Sequence, residues 1–163
     1  MRVFKLQYSQ TVNASLEEVF VFFSNPENLS VLTPEKLNFK ILTPTPIVMK
    51  EGQIIDYTIK LLGFNVRWRT IISEYNGKNK FVDQQLKGPY SMWHHTHEFK
   101  ELNGSINMID TISYVMPFGI LRQIVNKFWL KRDLDNIFKY RQKAIMKYFN
   151  ERKKILIVDA SPL

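Results

Sequence analysis

The stretch Gly88-Pro-Tyr-Ser-Met-Trp-His-His-Thr-His-Glu-Phe99 holds all three histidines of the 163-residue chain and one of its three tryptophans. It begins with a Gly-Pro turn signal and then alternates as a β-strand does. One face of that strand carries Trp93, His95, His97 and Phe99. A strand that faces a core should be apolar on that side. The two imidazoles are therefore either core residues with hydrogen-bond partners or part of a cavity wall.

The residues around this stretch predict seven strands. Besides the stretch itself, they are 2–10, 39–42, 53–61, 66–75, 81–86 and 105–115. Asn76-Gly77 and Asn103-Gly104 are hairpin turns. Between the first two strands, Ser15-Leu-Glu-Glu18 is a capping box that opens a short helix, and Asn25-Pro26 opens a second one.

A long helical region follows the last strand. Its apolar stripe changes phase, which predicts a short helix to about Trp129 and a longer one from about Lys131 to Glu151. The order of elements predicts an α+β fold, in which a curved seven-stranded antiparallel sheet wraps around the long C-terminal helix.

Length and composition limit the classes of protein that this chain can belong to. A chain of 163 residues predicts one domain, which we place at residues 1–151. The absence of cysteine excludes disulfides, thiol nucleophiles and zinc–thiolate sites, and it fits a cytoplasmic location. We expect no secretory signal, and we see no apolar run of the ~18 residues that a membrane helix needs.

The net charge of +8 belongs to one part of the sequence. Residues 119–154 contain 11 Lys and Arg against 3 Asp and Glu, and the remainder balances at 12 against 12. The basic residues opposite the apolar stripe of the long helix are Arg132, Lys139, Lys143 and Lys147. Such a face is most often simply solvated, and weak contact with an anionic membrane surface is the functional alternative. Exposed aromatics do not interleave with these residues, so we predict no nucleic-acid partner.

Three loops with apolar residues should meet at one end of the sheet, because successive turns of an up-and-down sheet alternate between its ends. They contain Leu62 and Phe64, Pro89 and Tyr90, and Pro117 and Phe118. Loops are normally polar. The three loops either pack on one another as a plug or form the mouth of an apolar cavity, and we favour the mouth.

Polar residues are predicted on the inner face of the sheet among aromatic ones. The candidate ligand-binding residues are Tyr57, Trp68, Asp83, Gln85, Trp93, His95, His97, Asp110, Tyr114 and Arg141. Buried charges must be paired. These residues therefore form either a satisfied structural network or the polar groups that orient a ligand in an apolar pocket. Arg141 would suit a carboxylate or a phosphate.

Several motifs resemble the START/Bet v 1-like superfamily, also called SRPBCC, and its bacterial ligand-binding and polyketide-cyclase-like members. The resemblance covers about residues 1–151. The motifs are Ser15-Leu-Glu-Glu-Val-Phe, Asn25-Pro-Glu-Asn-Leu, Leu32-Thr-Pro, Val66-Arg-Trp-Arg-Thr, Phe81-Val-Asp, Gly88-Pro-Tyr-x-x-Trp-x-His-x-His-x-Phe99, Pro117-Phe-Gly and Ile137-Phe-x-Tyr-Arg141.

The resemblance implies a helix-grip fold. With the apolar mouth and the aromatic interior, it also implies a hydrophobic small-molecule ligand, such as a lipid, an isoprenoid or a polyketide, held between the sheet and the long helix. This hypothesis predicts a closed cavity of several hundred Å³. By resemblance to plant hormone receptors, residues 62–65, 88–90 and 116–119 would take the places of gate, latch and helix-side wall, although the gate sequence is shorter here. No cofactor is expected.

An enzyme is the alternative. A cyclase- or dehydratase-like protein would use His95 and His97 with Asp83 or Asp110 as acid–base groups. No residue is assigned as catalytic, and His95, His97 and Asp110 are the candidates. The same two histidines with Asp110 could ligate a metal. Two histidines on one strand are weak support for that, so we expect no metal.

The tail, residues 152–163, contains a charged pair and an apolar run. It resembles the opening strand of a dinucleotide-binding domain of the extended short-chain dehydrogenase type, but Asp159 and Pro162 stand where glycines are needed. Our hypothesis is a relic of a fused domain that binds no nucleotide. A flexible end, or a strand added to a neighbour, is the alternative.

Overall fold

The computed structural model describes residues 2–61, 63–116 and 131–159, the last eight of these by their backbone alone. Short 3-10 turns at Pro26–Asn28 and Glu35–Leu37 flank α2. The elements in chain order are β1 Phe4–Val12, α1 Leu16–Phe23, α2 Leu29–Leu32, β2 Lys40–Ile41, β3 Ile54–Leu61, β4 Phe64–Tyr75, β5 Lys80–Lys87, β6 Met92–Leu102, β7 Ser105–Val115 and α3 Lys131–Asp159.

The seven strands form one antiparallel sheet in the order β1-β7-β6-β5-β4-β3-β2. The predicted fold class, with two short helices after the first strand and a long C-terminal helix, is confirmed. From β2 onward each strand pairs with the next one in the chain. The last strand, β7, also pairs with the whole length of β1. Register shifts in β4, between Arg69 and Thr70 and between Ile72 and Glu74, interrupt its ladder with β5. Irregularities of this kind bend a strand and help the sheet to curve.

The predicted hairpin at Asn103-Gly104 forms with both residues at positive φ, 50° and 75°. This geometry matches the twist of the flanking strands, and Leu102 pairs directly with Ser105. Several strand boundaries differ from the prediction by a few residues, and two of these differences have a visible cause. β1 runs to Val12 rather than residue 10, because its last residues still pair with β7. β4 begins at Phe64 rather than Val66, because the turn is closed tightly around Gly63, whose φ is 85°.

Both predicted helix caps are present. The Glu18 backbone amide donates to Ser15 Oγ at 3.2 Å, and the Ser15 amide donates to Glu18 Oε2 at 2.9 Å. Asn25 Oδ1 accepts from the Glu27 amide at 3.0 Å. These contacts satisfy amides that would otherwise lack partners at the helix starts. Helix α1 begins where its apolar face can pack on β6, with the Phe20 and Phe99 rings 5.7 Å apart.

Helix α3 packs on the inner face of the sheet and is fixed to β1. The Tyr8 ring stacks on Phe138 with centroids 4.1 Å apart, and the Tyr8 hydroxyl donates to Asp135 Oδ1 at 2.7 Å. Gln10 Nε2 donates to the Gln142 carbonyl at 2.9 Å. The predicted basic residues on the other side of the helix are all exposed: Arg132, Lys139, Lys143 and Lys147. Within the described segments, no helix has both the length and the apolar composition that a bilayer crossing requires.

The end of α3 differs from the prediction. The helix continues to Asp159, past the predicted end at Glu151, so the backbone from 152 to 159 is helical and not the strand or flexible end that we considered for the tail. No glycine or proline interrupts the sequence between Lys131 and Asp159, so nothing stops the helix earlier. The relic hypothesis stays a prediction. The short helix predicted up to Trp129 lies outside the described residues.

The core consists of two apolar clusters. One cluster surrounds Phe99 and Ile145. It contains side chains from α1, β5 and β6 and from the part of α3 between Ile145 and Phe149. The other surrounds Trp68, Trp93 and Tyr114. Between them, β5, β6, β7 and α3 each contribute polar side chains that are largely buried. We call this set the polar layer: Asp83, His95, His97, Asp110 and Arg141.

The first cluster should carry much of the stability. We expect Ile145→Ala to lower the free energy of unfolding by about 2–5 kcal/mol, because Ile145 is fully buried and its truncation leaves a cavity. Met146, the next residue, is 56% exposed. Met146→Ala should change stability by no more than about 0.5 kcal/mol. Urea denaturation of both variants makes the comparison, and equal losses would contradict this assignment of the core.

Candidate functional site

A cavity of about 200 Å³ lies between the sheet, the segment from α1 to β2, and α3. It is smaller than the several hundred Å³ predicted. Its lining is mostly aromatic and aliphatic, with a few polar side chains from the sheet, from α3 and from the segment between α1 and β2. An apolar pocket with a few convergent polar groups is the usual form of a small-molecule site.

Most of the predicted ligand-binding residues line this cavity. They are Tyr57, Trp68, Asp83, Trp93, His95, His97 and Arg141. Asp110 and Tyr114 do not line it. Both lie on β7, which is separated from the cavity by β6, and both are almost fully buried. Their strand lies one position farther from the cavity than β6 does, so the two side chains do not reach it.

Gln85 does not line the cavity either, and its side chain is hydrogen bonded to the turn between β5 and β6. Gln85 Nε2 donates to the Tyr90 carbonyl at 2.7 Å, and the Tyr90 amide donates to Gln85 Oε1 at 3.3 Å. A side chain at Gly88 would clash with Gln85. Gln85 therefore holds the turn between β5 and β6, and the glycine leaves room for it.

Sequence reasoning missed the wall opposite the sheet. The segment between α1 and β2 supplies lining residues, as do Met49 and two turns of α3; those from the segment are Phe23, Asn25, Pro26, Leu29, Leu32, Thr33, Leu37 and Phe39. The apolar residues of the short helices were a sign that this segment covers something. Only the folded chain shows that it covers a cavity rather than packed side chains.

The described parts of the predicted mouth lie at one end of the sheet, as expected from the strand order. Tyr90 lines the cavity, and its ring lies 4.8 Å from that of Trp93. Phe64 is 75% exposed and does not line the cavity, and Pro89 is half-buried beside the turn. Leu62, Pro117 and Phe118 lie outside the described residues. The role of these loops as a mouth stays a prediction.

The centre of the polar layer is a pair of imidazoles between two carboxylates. Asp83 is directly opposite His95 on β5, and Asp110 is directly opposite His97 on β7. Each ring donates to the diagonal partner: His95 Nε2 to Asp110 Oδ1 at 3.1 Å, and His97 Nε2 to Asp83 Oδ2 at 3.0 Å. The two ring centroids are 3.8 Å apart.

The remaining ring nitrogens face the directly opposite carboxylates. His95 Nδ1 is 3.4 Å from Asp83 Oδ2, and His97 Nδ1 is 2.7 Å from Asp110 Oδ1. The shorter contact lies off the direction of the ring N–H, so His97 Nδ1 makes a close charge contact there and no hydrogen bond within the described residues. Asp83 and Asp110 thus enclose the imidazole pair from both sides.

Arg141 approaches this group from α3. Its Nη2 lies 3.7 Å from Asp110 Oδ1, and its guanidinium carbon lies 5.3 Å from the Phe23 ring centroid and 5.8 Å from that of Phe138. Cation–π contacts of this kind stabilise a desolvated guanidinium. Arg141 Nε is buried without a hydrogen-bond partner among the described residues, and so is Trp68 Nε1. Both residues line the cavity.

The charges of the polar layer shift one another's pKa values. Burial alone would raise the pKa of Asp110, but Arg141 and His97 outweigh it and hold that pKa well below its usual range. Burial also opposes ionisation of Asp83, and the neighbouring histidines hold its pKa below the ordinary value. Burial lowers the pKa of His95, whereas the two carboxylates raise the pKa of His97 against the effect of burial. These directions keep both carboxyl groups ionised at neutral pH and make His97 the more basic of the two imidazoles.

This arrangement can do three kinds of chemistry. The imidazoles can exchange protons with a bound molecule. Trp68 and Arg141 can donate to an oxygen. One ligand atom each from Asp83, His95 and His97 lie within 4.8 Å of one another, which is close enough to hold a metal ion.

Solved structures of the same fold match the chain over nearly its whole length. A START superfamily protein from Mycobacterium smegmatis has a TM-score of 0.68 at 14% identity, and the match covers 90% of this chain and 97% of that protein. The Zhui aromatase/cyclase from Streptomyces sp. R1128 has a TM-score of 0.72 at 12% identity, covering 93% and 96%. The ginseng major latex-like protein 151 from Panax ginseng has a TM-score of 0.67 at 9% identity, covering 90% and 97%. The chain has the START/Bet v 1-like helix-grip fold.

No family model and no curated protein matches the sequence. At identities this low, the START/Bet v 1-like likeness establishes the fold, and function has to be argued from the site.

The pKa shifts predict how stability depends on pH. The folded-state pKa values of Asp83 and Asp110 lie below the ordinary 3.8, so their contribution is present above that value and lost as pH falls through the folded-state pKa values. Each carboxylate should add a slope of about 1.4 kcal/mol per pH unit in that range. His97 should stabilise the fold below about pH 6.5 and lose this contribution as pH rises through its raised pKa. His95 should destabilise the fold at pH values below its lowered pKa, and this cost should disappear as pH rises to about 6.5.

Urea denaturation from pH 2 to 6 (about one unit per step) measures this slope. Asp110→Asn should flatten it below pH 4, since one titrating carboxylate is removed. Glu101→Gln is the control, because Glu101 is an exposed carboxylate near the end of β6, and its removal should change the slope little. An unchanged slope in Asp110→Asn would contradict the lowered pKa of Asp110.

Proposed function

We propose that the protein binds a hydrophobic small molecule of the lipid, isoprenoid or polyketide class, with the apolar part in the cavity and an oxygen acceptor directed at the polar layer. The observation that carries this proposal is the composition of the cavity wall. Aromatic and aliphatic side chains surround about 200 Å³, and the buried groups of Asp83, His95, His97 and Arg141 reach one part of it.

Two features support an acceptor on the ligand. Buried polar groups in folded proteins are nearly always hydrogen bonded, so the donors Trp68 Nε1 and Arg141 Nε, both without partners among the described residues, call for an explanation. A ligand carbonyl, hydroxyl or carboxylate would satisfy either donor. A cytoplasmic location and weak contact of the basic face of α3 with anionic membranes stay predictions from the sequence.

A variant that fills the cavity tests the binding site. Ile137 lines the cavity from α3 and is half-buried, so Ile137→Trp should occupy the space while the fold is kept. We expect it to weaken binding of an anilinonaphthalene sulfonate dye by at least about tenfold, or about 1.4 kcal/mol. Met146→Trp adds the same ring to the exposed side of the same helix and should bind the dye as the wild type does. Equal dye affinity in the two variants would exclude the cavity as the site.

The natural ligand is sought by denaturing purified protein and analysing the released molecules by mass spectrometry. A stoichiometric hydrophobic compound in the wild type that is absent from Ile137→Trp would support a binder. The same experiment addresses the cyclase- or dehydratase-like alternative, which the His–Asp contacts at the cavity wall favour. Incubation of the compound with wild type and with His97→Gln would separate the two functions. A binder returns it unchanged from both, whereas a dehydrating enzyme releases a product lighter by one water from the wild type only.

The acceptor is tested by Trp68→Phe, which removes one donor and keeps an aromatic ring. We expect the affinity for a compound that uses Trp68 Nε1 to fall by roughly 5- to 10-fold, which corresponds to one hydrogen bond of about 1–1.5 kcal/mol. The stability of the free protein should fall only because the ring is smaller, since the substitution removes no hydrogen bond within the described residues. Calorimetric titration with the extracted compound measures the affinity, and an undiminished affinity would contradict this contact.

A further inference from the structure

We propose that Asp83, His95 and His97 bind one divalent transition-metal ion, such as Zn²⁺, with its open coordination position facing the cavity. The three side chains come from adjacent strands, Asp83 from β5 and the histidines from β6. All three line the cavity. This site does not depend on the hydrophobic ligand proposed above.

The distances between the donor atoms suit a tetrahedral ion. Zn–N and Zn–O bonds of about 2.0–2.2 Å place two ligand atoms ~3.4 Å apart at the tetrahedral angle. Asp83 Oδ2 lies 3.4 Å from His95 Nδ1 and 3.0 Å from His97 Nε2, and one donor from each of the three residues lies within 4.8 Å of the others. Because separations reach up to 4.8 Å, the donors must close by as much as about 1.4 Å to reach this spacing. The ion would take the place of the proton that His97 Nε2 donates to Asp83.

The other nitrogen of each ring already lies close to a carboxylate, although the present contact of His97 Nδ1 is not a hydrogen bond. Metal-ligating histidines nearly always present the second nitrogen to a carboxylate, a carbonyl or water. Here His95 Nε2 lies 3.1 Å and His97 Nδ1 lies 2.7 Å from the same oxygen, Asp110 Oδ1. Asp110 is 1% exposed, lies outside the cavity lining and is approached by Arg141. The two carboxylates therefore have different places: Asp83 on the cavity side and Asp110 behind the rings.

The ligand set also indicates the kind of ion. Two imidazoles and one carboxylate suit Zn²⁺, Fe²⁺ or Co²⁺ better than Mg²⁺ or Ca²⁺, which prefer oxygen ligands. Three protein ligands leave at least one position for water or for an oxygen atom of a bound molecule. The side chain set differs from the one that the sequence suggested, since Asp83 replaces Asp110 as the carboxylate ligand.

The first experiment uses full-length protein freed of metal with a chelator, then titrated with Zn²⁺ in competition with a chromophoric chelator. We expect one Zn²⁺ per chain. Asp110→Asn should weaken binding about 10- to 100-fold, as loss of a supporting carboxylate does elsewhere, and Asp83→Asn should weaken it more. His94→Ala is the matched control. His94 alternates with His95 on β6 and contacts Thr96 at 3.4 Å, so its removal should leave Zn²⁺ affinity unchanged.

A second measurement needs no variant and therefore does not depend on variants that fold. One equivalent of Co²⁺ should give the intense visible absorption of a four- or five-coordinate ion and should shift the ring protons of His95 and His97 more strongly than those of His94. The spectrum of hydrated Co²⁺, or the strongest shifts at His94, would overturn the proposal, as would equal Zn²⁺ affinity of folded Asp83→Asn and wild type.

The fate of the proposed ligand function is read separately. Dye binding that is lost in Ile137→Trp while Zn²⁺ binding persists would support both sites. Zn²⁺ binding without any dye binding would retain the metal site and reject the hydrophobic ligand, and the reverse result would reject the metal alone.

Discussion

The fold depends on burying two carboxylates, two imidazoles and a guanidinium in the middle of an apolar core. A charge removed from water is tolerated only with close partners, and removing one partner from a buried pair typically costs about 3–5 kcal/mol. Asp83, His95, Asp110 and Arg141 come from β5, β6, β7 and α3. Their mutual contacts therefore constrain the register of three strands and the rotation of the helix at once. A slip of one residue in β6 would turn both imidazoles to the outer face and leave the carboxylates unpaired.

The polar layer also divides the interior into two regions with different packing. On one side, the phenylalanines of α1 and β6 pack on Ile145 and Phe149, and Phe23, Leu32 and Phe81 of this cluster also line the cavity. On the other side, Trp68, Trp93 and Tyr90 stand at distances of 4.8–5.5 Å between ring centroids, and a cavity remains in front of them. Large rings that contact one another leave space that they cannot fill.

The same side chains serve structure and, in our proposals, function. Apolar residues of similar volume often stabilise a core as well as a buried ion pair does, so a buried polar layer is poor support for a purely structural role. Here four of its members line the cavity, two donors nearby lack partners among the described residues, and the carboxylates occupy opposite sides of the ring pair. An oxygen-bearing hydrophobic ligand and a divalent ion are compatible, because the proposed metal ligands and the residues of the two donors all line the same cavity. The START/Bet v 1-like fold supplies that space and does not by itself choose its occupant.

The local structure and the faces of the strands follow from the order of residues alone. The capping box at Ser15 and the turn at Asn103-Gly104 depend on neighbouring residues only, and strand alternation placed Asp83, His95, His97 and Asp110 on one face because side chains repeat every two residues. The amphipathic pattern likewise placed Arg141 toward the sheet.

Which of these residues reach the cavity depends on the position of each strand in the folded sheet. Alternation does not tell which strands flank one another at the cavity, so it could not distinguish Asp83 on the near side of β6 from Asp110 on the far side. It could not show that the Gln85 side-chain amide is hydrogen bonded to the backbone of Tyr90. Nor could it show that the segment from α1 to β2 forms the opposite wall of the cavity. These are contacts between residues distant in the chain or between a side chain and a folded turn. They are set by the curvature of the sheet and the position of α3, which emerge only when the whole core packs.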